Sequence, residues 1–377
     1  MKRMYSLLAR GAVGPIVGLV LTLNLGCDSS TQPEPATLTE AIDELAESYV
    51  EVGAMVGVVR GSETLVLSYG TKQFGADDAP DRHSVFEIGS ITKTFTTALL
   101  ARRILDGTLE PEEAVQPYLP GDRVTLPTRD GEEITFIRLA THRSGLPQRV
   151  QDSDYPKPPG FNPLNWYAAY TTDHIYDYLT NYVELVFTPG SDWLYSNTGM
   201  GLLGHVLGLI DGTSYETLVS REMFDVLGMD NSSLFLTDAQ RDNLALGHSS
   251  SRNVVPNYTA NDIYQGAGFI KSSLDDMLLY LKAHLRLTDT PLNDALEYTR
   301  EPLFHVEYWG DSGMDWYTKE LEDGQVVTYK GGRTGGYGAY MGLNESTSTG
   351  TIVLLNHSVA GRAQQFGEAV LKAAAQW

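Results

Sequence analysis

Ser90 and Lys93 stand three residues apart in Phe86-Glu87-Ile88-Gly89-Ser90-Ile91-Thr92-Lys93-Thr94-Phe95. Ile91, Phe95, Leu99, Leu100 and Ile104 follow at helical spacing until Asp106-Gly107. That spacing predicts a helix beginning at Ser90, with Lys93 one turn along on the same face. A serine hydroxyl is a weak nucleophile until a base takes its proton, and a desolvated lysine can do so. The helix N-terminus adds a positive dipole and free backbone N–H groups beside the hydroxyl. The same spacing also suits an N-cap serine next to a surface lysine. A second group is Tyr195-Ser196-Asn197, after the break Pro189-Gly190. Tyr195 can relay a proton if nearby lysines bring its pKa down, and Asn197 can hold a substrate carbonyl or amide. A buried tyrosine with a turn-forming asparagine has the same pattern. The third is Tyr329-Lys330-Gly331-Gly332-Arg333-Thr334-Gly335-Gly336-Tyr337-Gly338. Here a β-type run ends in glycines, which let another backbone approach closely. Such an edge can pair with an extended substrate and offer a backbone N–H to a developing oxyanion, with Lys330 adding positive charge. A glycine-rich bulge or hairpin fits equally.

Ser-x-x-Lys, then Tyr-x-Asn about a hundred residues on, then Lys-x-Gly near the C-terminus is similar to the layout of the active-site serine penicillin-recognising enzymes. The chain most resembles the class C β-lactamases and their relatives, the D-Ala-D-Ala peptidases and class C-like esterases. Leu139-Ala140-Thr141-His142-Arg143-Ser144-Gly145-Leu146-Pro147 and Gly266-Ala267-Gly268-Phe269-Ile270-Lys271-Ser272-Ser273 extend the resemblance over nearly all of the chain beyond its first 37 residues. The resemblance implies an acylated nucleophile at Ser90, the helix lysine at Lys93 and a proton-shuttling tyrosine at Tyr195. It implies substrate contacts at Asn197, Lys330, Gly332 and Arg333, with an oxyanion hole from the backbone N–H groups of Ser90 and Arg333. Its substrates would be a β-lactam, a D-Ala-D-Ala peptide or an ester, and no metal or cofactor is implied. A non-catalytic penicillin-binding sensor is the reading from another functional class. Two departures bear on the substrate. Gly331 stands where class C β-lactamases usually have a threonine, and Gln148 is displaced by one place from their usual glutamine.

These residues need elements to position them. Leu38, Ile42, Leu45 and Val50 recur at helical spacing. Met55–Val59 and Thr64–Ser68 read as strands joined by a hairpin turn at Arg60-Gly61-Ser62-Glu63. From about Ile91 to Tyr264 the chain reads as helices and loops, with a Pro- and Tyr-rich excursion, Tyr155–Tyr170, as the irregular wall of a cleft. Strand patterns return at Val326–Lys330, Tyr337–Leu343 and Thr351–Asn356, and an Ala-rich helix closes the chain from about Arg362 to Ala375. The expected fold class is therefore α/β (α+β): an antiparallel sheet formed by both termini and flanked by helices, with an inserted all-helical domain. The boundaries read as 38–88 plus 265–377 for the sheet domain and 89–264 for the helical one.

The first 27 residues read differently. Lys2, Arg3 and Arg10 precede an uncharged run from Gly11 to Cys27, too short to span a bilayer and interrupted by Pro15. This is the form of an export signal. Leu23-Asn24-Leu25-Gly26-Cys27 resembles a bacterial lipobox, with Asn24 where leucine is usual, and implies lipidation of Cys27. Residues 28–37 form a polar, Pro-containing tether. The expected location is thus the cell envelope or periplasm, with the membrane engaged only through the lipid.

Composition excludes more than it assigns. With 377 residues, 42% hydrophobic and 20% charged, the chain is neither disordered in bulk nor a polytopic membrane protein. Its formal net charge of −21 argues against binding a phosphate backbone, so no nucleic-acid partner is expected. One cysteine makes no internal disulfide and no thiolate metal site. Gly199-Met200-Gly201-Leu202-Leu203-Gly204 matches the dinucleotide fingerprint, but it follows the Tyr-x-Asn turn rather than a strand and reads as close helix packing. No Gly-x-Ser-x-Gly elbow is present, and the histidines show no zinc-binding spacing. His142 reads as stabilising a turn.

Overall fold

The computed structural model describes residues 37–150 and 153–376. The predicted signal, Cys27 and all of the tether but Thr37 lie outside them. The first described element is helix α1 (Leu38–Tyr49), capped by Thr37, whose hydroxyl accepts from the Glu40 N–H at 3.2 Å. Strands β1 (Gly53–Arg60) and β2 (Glu63–Gly70) form the expected hairpin, turning on Gly61-Ser62. Short strands β3 (Val85–Glu87) and β4 (Lys271–Ser273) pair with each other apart from the main sheet. Between them run α2 (Thr92–Leu105) and most of the other helices.

The C-terminal third supplies β5 (Phe304–Val306), β6 (Gly310–Ser312), β7 (Tyr317–Glu320), β8 (Val326–Arg333), β9 (Gly338–Asn344) and β10 (Thr349–Leu355). These join the first hairpin in an eight-stranded antiparallel sheet of order β2-β1-β10-β9-β8-β7-β6-β5. The N- and C-terminal elements thus meet at the β1–β10 pairing, as the pattern of strands at both ends predicts. Strands β5 to β7 and the β3–β4 pair escape the sequence reading. At three or four residues each, they are too short to show a period-2 alternation.

Alternation along the longer strands divides the core between the two faces of the sheet. Ala54, Val56, Val58, Val353 and Leu355 point to a layer made by α1 and the closing helix Arg362–Gln376, where Phe366, Val370 and Leu371 are buried. Met55, Val59, Ile352 and Leu354 point the other way, into a larger core shared with Phe95 and Leu99 of α2 and Leu274, Leu278 and Leu281 of helix Leu274–His284. Each of these side chains larger than alanine contributes about 1.5–3 kcal/mol through removal from water. Helix Asn197–Ile210 packs so closely on Asp262–Gln265 that a Cβ on Gly201 would lie 2.5 Å from the Ile263 carbonyl oxygen. Close packing, rather than phosphate binding, is what the Gly-x-Gly-x-x-Gly run serves. Among the described residues no helix is long and apolar enough to cross a membrane.

Candidate active site

Ser90 lies in a 3-10 turn, Gly89–Ile91, that runs directly into α2. Gly89 has φ +51°, a conformation open to glycine at little cost, and its neighbourhood leaves no alternative. A Cβ there would meet the Arg333 backbone N at 2.6 Å, and a Cβ on Gly332 would fall 1.9 Å from the Ile88 carbonyl oxygen. The end of β8 is therefore pressed onto the turn that carries the serine. Thr334 N–H donates to Tyr337 O at 3.0 Å, so by the alternation of an antiparallel ladder the Arg333 N–H points away from β9. On that side β7 ends its pairing at Tyr317 opposite Tyr329, and the β8 edge beyond is bare of strand. The N–H groups of Ser90 and Arg333 thus share one seam.

Lys93, one turn into α2, is fully buried beneath the serine. Its Nζ lies 3.1 Å from Ser90 Oγ and also donates to the Ala267 carbonyl. Burial, helped by the charge of Lys330 and opposed by Asp315, brings Lys93 down to about 7. The ammonium and the amine are therefore both available near neutral pH.

Tyr195 sits over both lysines, with Lys93 Nζ 4.9 Å and Lys330 Nζ 5.2 Å from its ring centroid. It lines the same cleft as Ser90. The expectation that nearby lysines lower its pKa is corrected here. Burial, reinforced by the negative charge of Asp315, holds the phenol well above its ordinary range. Tyr195 is a neutral hydroxyl in this site. Asn197 begins its helix behind the cap Ser196, whose hydroxyl accepts from Gly199 N–H at 2.9 Å. Its amide Nδ2 donates to Tyr167 Oη at 3.1 Å, and its backbone N–H to Gln148 O at 3.0 Å.

Ser90, Tyr195, Asn197, Lys330, Gly332 and Arg333 line one cleft of about 590 Å³. The sequence-predicted residues are therefore brought together, with Lys93 under the floor and Cys27 outside the described residues. Trp166 and Tyr167 fall in the predicted irregular wall, and Tyr258, Trp309, Gln148 and Arg149 complete it. No carboxylate lines the cleft among the described residues. At Gly331 a Cβ would find nothing nearer than 3.9 Å, so the missing threonine leaves open space.

Two residues here exceed their sequence reading. Asp315 belongs to none of the sequence motifs. It precedes β7, its side chain is wholly buried, and its Oδ1 accepts from Lys330 Nζ at 2.6 Å and pairs with His142 Nε2 at 2.8 Å. Its one sequence signal is an acidic residue set in the apolar run Met314-Asp315-Trp316. His142 does stabilise a turn, since its Nδ1 accepts from Ser196 N–H at 3.1 Å. It also lies against Tyr195, ring centroids 4.4 Å apart, and so belongs to the site.

Residues 38–375 match the model of the family described as Beta-lactamase. The chain belongs to the beta-lactamase family. It is thus a hydrolase of the beta-lactamase and D-Ala-D-Ala carboxypeptidase family. Its relatives include the D-alanyl-D-alanine-carboxypeptidase/endopeptidase AmpH of Escherichia coli (strain K12), 25% identical over 360 residues that cover 89% of this chain and 90% of the relative. A beta-lactamase of Pseudomonas fluorescens is 23% identical over 364 residues, covering 85% and 93%. Among solved structures, the beta-lactamase/D-alanine carboxypeptidase from Yersinia pestis complexed with citrate superposes with a TM-score of 0.77 at 23% identity, over 90% of this chain and 98% of that one. A class C beta-lactamase gives 0.75 at 21% identity, over 89% and 96%. The fold of this beta-lactamase-family hydrolase is accordingly the class C one.

Proposed function

We propose that the protein cleaves β-lactam or D-Ala-D-Ala-type amide bonds through an acyl-enzyme on Ser90, at the cell envelope. The observation that carries this reading is the buried Lys93 Nζ 3.1 Å from Ser90 Oγ. In its amine form, Lys93 takes the hydroxyl proton as Oγ attacks the carbonyl carbon. The oxyanion is met by the N–H groups of Ser90 and Arg333. The carbon–nitrogen bond then breaks, and the proton passes by way of the Tyr195 hydroxyl to the leaving nitrogen. Water hydrolyses the ester with the same groups acting in reverse. Asn197 holds the substrate amide, while Lys330, Gly332 and Arg333 form the strand edge along which it lies. A cleft bearing Arg149 and Arg333, and no carboxylate among the described residues, suits an anionic substrate end. AmpH and the beta-lactamase among the relatives support both amide classes. The signal-like N-terminus and Cys27 support an exported, lipid-anchored protein.

A class C-like esterase is the second reading, favoured by Gly331, which removes a hydroxyl that would grip a carboxylate. Incubating the protein with nitrocefin, a D-Ala-D-Ala tripeptide and a p-nitrophenyl ester separates these. Turnover of nitrocefin or release of D-alanine supports the proposal, and ester turnover alone supports the esterase. A stable adduct without turnover identifies a sensor. Ser90→Ala is expected to abolish both adduct and turnover, and full activity in that variant would overturn the assignment.

A further inference from the structure

Two lysines are buried around Tyr195, and a base requires one of them to lose its proton while the other keeps it. The geometry separates them. Among the described residues Lys93 Nζ hydrogen-bonds only to uncharged partners, Ser90 Oγ and the Ala267 carbonyl, whereas Lys330 Nζ has a carboxylate at 2.6 Å. That carboxylate is held in an unusual way. Seven non-glycine residues among those described have positive φ, and five of them are exposed. The two buried ones are His142 (φ +59°) and Asp315 (φ +64°), and they are bonded to each other. Strained backbone of this kind persists where the surroundings over-determine it, and it gathers at functional sites. Asp315 Oδ1 carries both partners, while its buried Oδ2 has no hydrogen-bond partner among the described residues.

We propose that Asp315 is a positioning residue that assigns the two lysines their roles, holding Lys330 as an ammonium and His142 as the Nε2–H tautomer so that Lys93 alone is released to act as the base. With Nε2–H directed at Asp315, His142 Nδ1 is left to accept from Ser196 N–H and to set the turn carrying Tyr195. Lys330 faces Asp315, Tyr195, the Tyr317 ring at 5.0 Å and, across the tyrosine, Lys93. Asp315 is the only carboxylate among these groups. Burial pushes Lys330 down and Asp315 opposes it. Burial also works against the Asp315 carboxylate, but Lys330 and His142 outweigh it and hold its carboxyl below the ordinary range.

The inference rests on Lys93 being the base, so its test reads both lysines directly. Lysine side chains of the full chain, labelled with ¹³C and ¹⁵N, are titrated by NMR, with Lys93 and Lys330 assigned from K93M and K330M. In D315N, which keeps the shape, and in D315G, which suits the positive φ, the Lys330 midpoint is expected to fall by at least about one pH unit. The alkaline limb of kcat/KM on whichever substrate is turned over falls with it. A Lys330 midpoint unchanged in both folded variants overturns the proposal, even if stability drops. If instead K93M keeps the parent activity and acid limb, the reading of Lys93 fails, and with it the division of roles, whatever the Asp315–Lys330 coupling shows.

Discussion

In the proposed mechanism Ser90 gains its reactivity from what surrounds Lys93 more than from its own environment. A lysine in water holds its proton far too tightly to accept one from serine at neutral pH, but burial brings Lys93 to about 7. Only the amine is a base, so kcat/KM is expected to rise with pH through about 7 and to hold until Lys330 loses its proton on the alkaline side. Lys93→Met is expected to lower kcat/KM by about 10²–10⁴-fold and to remove that limb, read from a pH profile on the productive substrate. Tyr195 cannot substitute as the free base, since burial and Asp315 keep its phenol protonated. The sequence made Ser90, Lys93, Tyr195 and Lys330 legible because each sits in a local motif. Asp315 was not legible, because its meaning comes from a contact with His142, 173 positions away.

At the scale of elements, the decisive contact is between the end of β8 and the turn before α2. Ile88 to Ser90 and Gly332 to Arg333 are packed without room for a single methyl group. Gly332→Ala is expected to force the two apart and displace one oxyanion donor. The expected result is a fall in kcat of about 10²–10³-fold with a destabilisation of about 1–3 kcal/mol, measured by steady-state kinetics and urea unfolding. The long strands, α2 and the closing helix were readable from periodicity, since each runs long enough to show its repeat. Their meeting was not, because register and close approach are set by tertiary packing. The bare edge beyond Tyr329 depends on β7 ending at Tyr317, and β7 is only four residues long.

At the scale of the fold, the sheet joins N- and C-terminal strands at the β1–β10 pairing. α1 and helix Arg362–Gln376 cover one face together, and Phe366 stacks on Tyr49 with ring centroids 5.2 Å apart. Phe366→Ala is expected to cost about 3–5 kcal/mol. Activity should be lost in step with one cooperative unfolding transition, followed by circular dichroism and substrate turnover on the same samples, because Lys330 and Arg333 lie in that sheet and Ser90 is packed on its edge. The edge itself has a further consequence. Where β7 gives out, β8 has no neighbouring strand among the described residues, and in the proposed mechanism a substrate lying there becomes one more strand for the length of a few residues. Selection along that edge then falls on the backbone of the substrate rather than its side chains. An unsubstituted amide run in one chain direction satisfies it, while the same peptide methylated on a nitrogen facing β8, or threaded in reverse, arrives with its donors out of step.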